Sequence, residues 1–224
     1  MNAAGFLLLI FCLLLTVVEV IGTDAGLYHR LQRANGVTEA IGVSDEDLVR
    51  LDAALADYLR GNESALAVEA EVYGERQPAF NEREVSHMAD VLALFRLLRR
   101  VRAILLPTAA LLLLAGLWLG RGSCARRWGR LYALALVLPA LPLGLFALWA
   151  ARDFDAAFTA FHHALFKNDL WLLDPRTDLM IRMLPAGLFA GMGLRIALWT
   201  AACLVTGGAL AAIAGRLLNR LMKE

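Results

Sequence analysis

Serine is scarce in this chain, with only Ser44, Ser64, Ser86 and Ser123 in 224 residues. None sits in a Gly-x-Ser-x-Gly elbow, and Ser86, beside His87 on a predicted helix, faces another side of it. Cysteine is as sparse. Cys12 and Cys203 fall inside apolar runs and Cys124 lies in a short polar loop, so none is placed for an exported disulfide or a zinc cluster. They read as small apolar residues. His-Glu-x-x-His, a phosphate-cradling glycine loop and a dinucleotide fingerprint are missing. The formal net charge is +1, so no global field points to nucleic acid. These absences argue against a covalent serine or cysteine nucleophile and leave histidine acid/base chemistry as what the inventory permits.

What is abundant is apolar and clustered. The chain is 59% hydrophobic and 19% charged, the latter against roughly 25% in an average soluble domain; its mean hydropathy is +0.59. Four stretches, about 6–21, 103–119, 131–150 and 194–214, approach the ~20 helical residues that a ~30 Å hydrocarbon core requires. The expected fold is an all-α membrane protein, one integral membrane domain with four transmembrane helices. The first stretch ends near Glu19. No Lys or Arg precedes it, Val20-Ile21-Gly22 is a poor cleavage site, and bulky Phe11 precedes Cys12, so it reads as a retained span.

Arginine sets the expected orientation. The segment 120–130 holds Arg121, Arg126, Arg127 and Arg130 without an acid, and the tail 215–224 holds Arg216, Arg220 and Lys223. The positive-inside rule places both in the cytoplasm with both termini, leaving 22–102 and 151–193 outside. Arg96, Arg99, Arg100 and Arg102 crowd the outer end of the second span against this rule. The long segment before them translocates largely regardless of charge, and arginines there suit lipid phosphates of the outer leaflet.

The outer segments carry helix signals. Ser44 and Asp47 form a capping-box-like start for DEDLVRLDAALADYLR, closed by Gly61, with a stripe of Leu48, Leu51, Leu55 and Leu59. EVYGERQPAF is expected to be irregular, with Pro78 stopping regular structure. Asn81 and Glu84 cap a second helix, NEREVSHMADVLALFRLLRR, that continues into the second span with a kink expected near Pro107. Phe154, Phe158, Phe161 and Leu165 predict a helix over FDAAFTAFHHALF, extending the third span. The same aromatic stripe suits core or lipid contact. Asn168-Asp169 reads as a turn, and Trp171 as an interface-belt residue.

On the second capped helix Glu84, His87 and Asp90, spaced i, i+3, i+6, share a face. Flanking carboxylates fix a histidine's tautomer and favour its cation, which suits a general base; a solvated polar face has the same pattern. His162 and His163 point about 100° apart, so one can face a pocket while the other faces solvent.

EREVSHMADVLALF together with FHHALFKNDLWLLDPRTDLMIRMLP resembles the paired signature of the lipoprotein intramolecular transacylase family of bacterial integral membrane proteins. The similarity runs in order over nearly the whole chain and includes a weaker element, GVSDEDLVRLDAALADYL. The residues that carry it are His87, Asp90 and Val91, then Phe161, His162, Asn168, Asp169, Trp171, Asp174 and Pro175, with Leu92 where a lysine is common. The resemblance implies a plasma-membrane enzyme with its active site at the outer leaflet. Its substrate would be a diacylated lipoprotein among membrane lipids. One acyl chain would move from the diacylglyceryl group to the α-amine of the same N-terminal cysteine, giving a lyso-form, with no cofactor and no metal. It implies His87 and His162 as catalytic, with Asp90 or Glu84 orienting His87 and with Asn168, Asp169 and Trp171 in support. His163 is the weaker candidate, and which histidine is the base stays open. Two other classes remain: a metal-dependent membrane lipid hydrolase using His87, Asp90 and His162 as ligands, and a non-catalytic lipid-binding or assembly subunit. The latter would use the small-residue pairs Gly116-x-x-x-Gly120 and Gly187-x-x-x-Gly191. An oligomeric state is not implied.

Overall fold

The computed structural model describes residues 2–119 and 127–221; Gly120, Arg121, Ser123, Cys124, Arg126 and Lys223 lie outside the described residues. The chain divides into two compact units, Met1–Val18 with Leu98–Trp149 and Ile196–Glu224, and Glu19–Leu97 with Ala150–Arg195.

The first unit takes its apolar segments from α1 (Asn2–Gly22), α5 (Glu82–Leu119), α6 (Trp128–Arg152) and α9 (Ala186–Leu221). All four are long and apolar enough to cross a membrane. Leucine-rich runs become helices there because lipid offers no partner for a backbone N–H or C=O outside the segment itself. Ile104, Leu111, Leu114, Leu138, Leu141 and Leu198 face outward, a surface suited to hydrocarbon rather than water. Inside, Phe6 meets Trp128 and Tyr132 edge-on at 5.5 and 5.6 Å, and the Tyr132 hydroxyl donates to the Leu204 carbonyl at 2.9 Å. Pro107 lies within an uninterrupted α5. Gly116 lies so close to Asn2 that a side chain there would collide with it. One half of that small-residue pair is thus consumed within the chain. Arg102, expected to meet lipid phosphates, donates to Thr16 Oγ1 at 3.3 Å.

The second unit opens with α2 (Ala25–Ala34) and α3 (Val37–Ile41), followed by α4 (Asp45–Arg60). Ser44 Oγ accepts from Asp47 N at 3.1 Å and Gly61 closes α4 in the left-handed region at φ 83°. The reciprocal half of that box is absent: Asp47 Oδ2 accepts from Glu71 N at 3.0 Å. Leu48, Leu51, Leu55 and Leu59 are all buried, and α4 packs on α2, which buries Leu27, Tyr28 and Leu31.

The stretch expected to be irregular is a β-hairpin, β1 (Glu69–Val72) paired antiparallel with β2 (Glu75–Pro78). Tyr73 and Gly74 both have positive φ, 52° and 86°, the combination of a type I′ turn whose twist matches the strands. Ala70 and Val72 turn inward while their neighbours face out. Pro78 stands opposite Glu69, and the next bond of the ladder is Ala79 N to Val68 O at 2.9 Å. The Glu69–Pro78 pair is therefore a non-hydrogen-bonded one, and the proline nitrogen lies on the outer edge, where it removes nothing from the ladder.

The aromatic helix does not extend the third span. It is a separate α7 (Phe154–Leu165), started by Asp153, whose side chain accepts from Ala156 N at 3.0 Å. A short α8 (Leu179–Met183) buries Leu179, Met180 and Met183 and packs on α3. Gly187 and Gly191 of α9 sit against Asn35 and Leu31 of α2, so this small-residue pair too is used internally.

Candidate active site

The site grows from the start of α5. Glu84 N donates to Asn81 Oδ1 at 3.1 Å and Asn81 N donates to Glu84 Oε2 at 2.7 Å, a complete capping box. The other carboxylate oxygen of Glu84 accepts from Met180 N at 2.6 Å, and Asn81 Nδ2 donates to Asp178 at 2.8 Å. Glu84 is 1% exposed. Burial pushes its pKa up, while the amide donors of Asn81, Met180 and Leu179 oppose the rise. Glu84, expected to orient His87, has both oxygens engaged elsewhere. Its oxygens serve unsatisfied backbone amides at the helix start and on α8, so it fixes where α5 begins.

The working face of α5 is instead Arg83, His87 and Asp90, at i, i+4 and i+7. The Arg83 guanidinium donates to the Asp169 carbonyl, the His87 ring meets Phe166 edge-on at 5.2 Å, and Asp90 Oδ2 accepts from Asn168 Nδ2 at 2.9 Å. These contacts lay residues 166–169 along the helix. The Asn168 side chain makes its own turn by accepting from Leu170 N at 3.2 Å. Asp169 meets Arg83 through its backbone carbonyl. Trp171, expected at an interface belt, is 7% exposed and stacks on His162 at 4.9 Å with 29° between planes.

His162 is the centre of the aromatic surround. Phe158, Phe161 and Phe166 stand at 4.0, 5.5 and 5.7 Å between ring centroids, and His87 at 6.1 Å. Its Nδ1 lies 2.8 Å from the Phe158 carbonyl, which can only accept. The proton is thus on Nδ1 and the lone pair on Nε2. The structure brings His87 and His162 together, both buried, and leaves His163 exposed with its ring edge-on to Trp171 at 5.0 Å. Burial above all pushes His87 down to about 4, with His162 adding to the drop and Asp90 opposing it. Burial likewise lowers His162, against the pull of the Phe158 carbonyl. For both rings burial favours the neutral form.

Sequence reasoning missed a second polar group in the same unit. Asp52, 1% exposed, accepts from Gln32 Nε2 at 2.8 Å and lies 3.9 Å from His29 Nδ1. Burial pushes the Asp52 carboxyl up to about 7. The available signal was its place on the apolar stripe, four residues after Leu48. Among the described residues, no three or more His, Cys, Asp or Glu converge on a metal-holding position, so the ligand set of the hydrolase reading is not assembled.

The fold defines a multi-pass membrane protein, and His87 and His162 lie side by side in one of its units. A sequence profile for the lipoprotein intramolecular transacylase Lit matches residues 3–189, and the chain belongs to that family. It is accordingly an integral membrane acyltransferase of lipoprotein maturation, not a hydrolase or an assembly subunit. The structure is similar to the membrane integral lipoprotein intramolecular transacylase Lit from Bacillus cereus. That likeness has a TM-score of 0.72 at 18% identity and covers 99% of this chain and 94% of that one. Two single-histidine variants of the same protein, to arginine and to alanine, also match. Each gives a TM-score of 0.71 at 18% identity over 99% of this chain, covering 91% and 92% of theirs. No curated protein sequence matches the chain.

Proposed function

We propose that the chain moves an ester-linked acyl chain from the diacylglyceryl group of a lipoprotein to the α-amine of the same N-terminal cysteine, giving an N-acyl, S-monoacylglyceryl lyso-form. The observation that carries this reading is the buried histidine pair, with His162 fixed in one tautomer by the Phe158 carbonyl. Donor and acceptor ride on one substrate, so tethering supplies effective molarity and no enzyme nucleophile is required. The neutral amine attacks the ester carbonyl, and a C–N bond forms as the carbonyl oxygen becomes an oxyanion. His162 Nε2 takes the proton the nitrogen sheds and returns it to the glyceryl oxygen as the ester C–O bond breaks. His87 is the oxyanion partner. Its buried Nδ1 has no partner among the described residues, and the ring acts in the tautomer that carries its proton on Nε2, where it can donate to developing charge.

Arg127 and Arg130 at the start of α6, and Arg216 and Arg220 near the end of α9, support cytoplasmic termini with the histidine unit at the outer leaflet. Mass spectrometry of lipoprotein N-termini from cells with and without the protein is the test. The lyso-form should appear only with it. An unchanged acyl pattern would overturn the reading.

A further inference from the structure

The proposed reaction starts from an amine that is mostly an ammonium in water, since α-amino groups titrate near about 7.7–8.0. A cation entering a site walled by Phe158, Phe161, Phe166 and Trp171 gives up hydration and needs a counter-charge there. The acids around the histidines are mostly committed. Glu84 accepts from Asn81 N and Met180 N, and Asp178 from Asn81, Asp174 N and Thr177. Asp174 pairs with Arg176.

Asp90 differs. It is half-buried on the working face of α5, one turn from His87, and its charge raises the proton affinity of that ring. Only its Oδ2 has a partner among the described residues, the Asn168 amide at 2.9 Å. Arg83, the cation on the same stripe, donates to the Asp169 carbonyl instead of neutralising Asp90. A carboxylate is thus held in place one turn from His87, with one oxygen open and no cation on it among the described residues.

We infer that Asp90, positioned by Asn168, is the seat of the α-ammonium of the lipoprotein's N-terminal cysteine. This rests on the function proposed above and names the group of the substrate that the site selects; the seated ammonium gives one proton to solvent before the neutral amine attacks. An N-terminus that is already acylated offers a neutral amide, which leaves the carboxylate without its counter-ion, so such lipoproteins are refused. The same loss follows each turnover, because the product nitrogen is an amide, and this favours release.

The rival role is a plain latch between α5 and the 166–169 segment. Asp90→Asn separates the two: it keeps the size and an acceptor for Asn168 and removes the charge. Full-length protein would be assayed with a synthetic diacylglyceryl-cysteinyl pentapeptide. At pH 7 kcat/KM should fall about ten- to a hundredfold, mainly through KM, as expected for losing a charge-assisted contact. The gap should narrow toward pH 9, where the amine is neutral without help. Equal kcat/KM, or a loss that does not change with pH, overturns the seat and leaves the latch.

A binding measurement uses the full-length His162→Ala protein, in which turnover should be nearly abolished. It should prefer the free-amine lipopeptide to its α-N-acetyl form, and adding Asp90→Asn should erase that preference. Equal binding of both peptides before that addition also overturns the inference. If the unmodified protein fails to convert the lipopeptide, the functional reading fails instead, and the binding comparison still judges Asp90.

Discussion

At His162 the tautomer is set by a backbone carbonyl four residues earlier on the same helix, a bond of 2.8 Å that needs no second residue. His87→Ala and His162→Ala should each nearly abolish lyso-form product, since acid/base catalysis contributes about 10²–10⁴-fold. The double variant should be scarcely worse, because the two act on one transition state. His163→Ala should keep substantial activity. Mass spectrometry of product N-termini gives the ranking, and an essential His163 beside a dispensable His162 would reverse the assignment. Because burial lowers His162, loss of rate from protonating that ring should set in only below the ordinary histidine value of 6.5, beneath the fall that the substrate amine itself gives.

Asp52 makes a separate prediction about stability. Its folded pKa of about 7 lies above the ordinary 3.8, so folding must take up a proton over that interval. The cost grows by about 1.4 kcal/mol per pH unit between those values and then levels off. Asp52→Asn should therefore stabilise the protein most at pH 7 and above and not at all below pH 4. Thermal unfolding across pH measures it, and a shift independent of pH would remove the explanation. The histidine pair was legible because its residues carry the family pattern. The distant partners of Asp52 and Glu84 were not, because Gln32 and Met180 lie 20 and 96 residues away along the chain.

Among the elements, helix starts were the most readable feature, since a cap is chemistry between residues three apart. Ser44 and Asn81 both begin helices, and Asn81–Glu84 closes its box in both directions. The hairpin was not readable. Its strands are four residues each, too short for an alternation to stand out, and the turn is Tyr-Gly rather than the usual Asn-Gly. The break before α7 was missed because hydrophobic spacing runs straight through Asp153, whose capping role outweighs it. Glu84→Ala tests the helix start. It orphans the Asn81 and Met180 amides and should cost about 2 kcal/mol or more, seen as a lower melting temperature. A melting temperature unchanged by the substitution would show that α5 and α8 are held by other means.

For the molecule as a whole, four leucine-rich helices were legible from composition alone, because lipid demands long apolar runs and forbids irregular backbone. Which side each loop occupies is a matter of arginine counting and is open to direct test. Cysteines introduced at Ser64 and at Asn168 should react with an impermeant thiol reagent added outside intact cells. Cys124, outside the described residues, should not. Labelling of the two introduced sites from opposite faces would sink the orientation.

Crowding in a membrane plane gives the hairpin another significance. Copies of a lipid-bound protein meet again and again in the same orientation, which lets an open strand edge recruit the matching edge of a neighbour and grow into aggregate. On the outer edge of β2, Pro78 presents a ring where a free amide would invite a third strand, and Arg76 adds a charge two residues away. The strand pair of the second unit is in this way also closed to self-association.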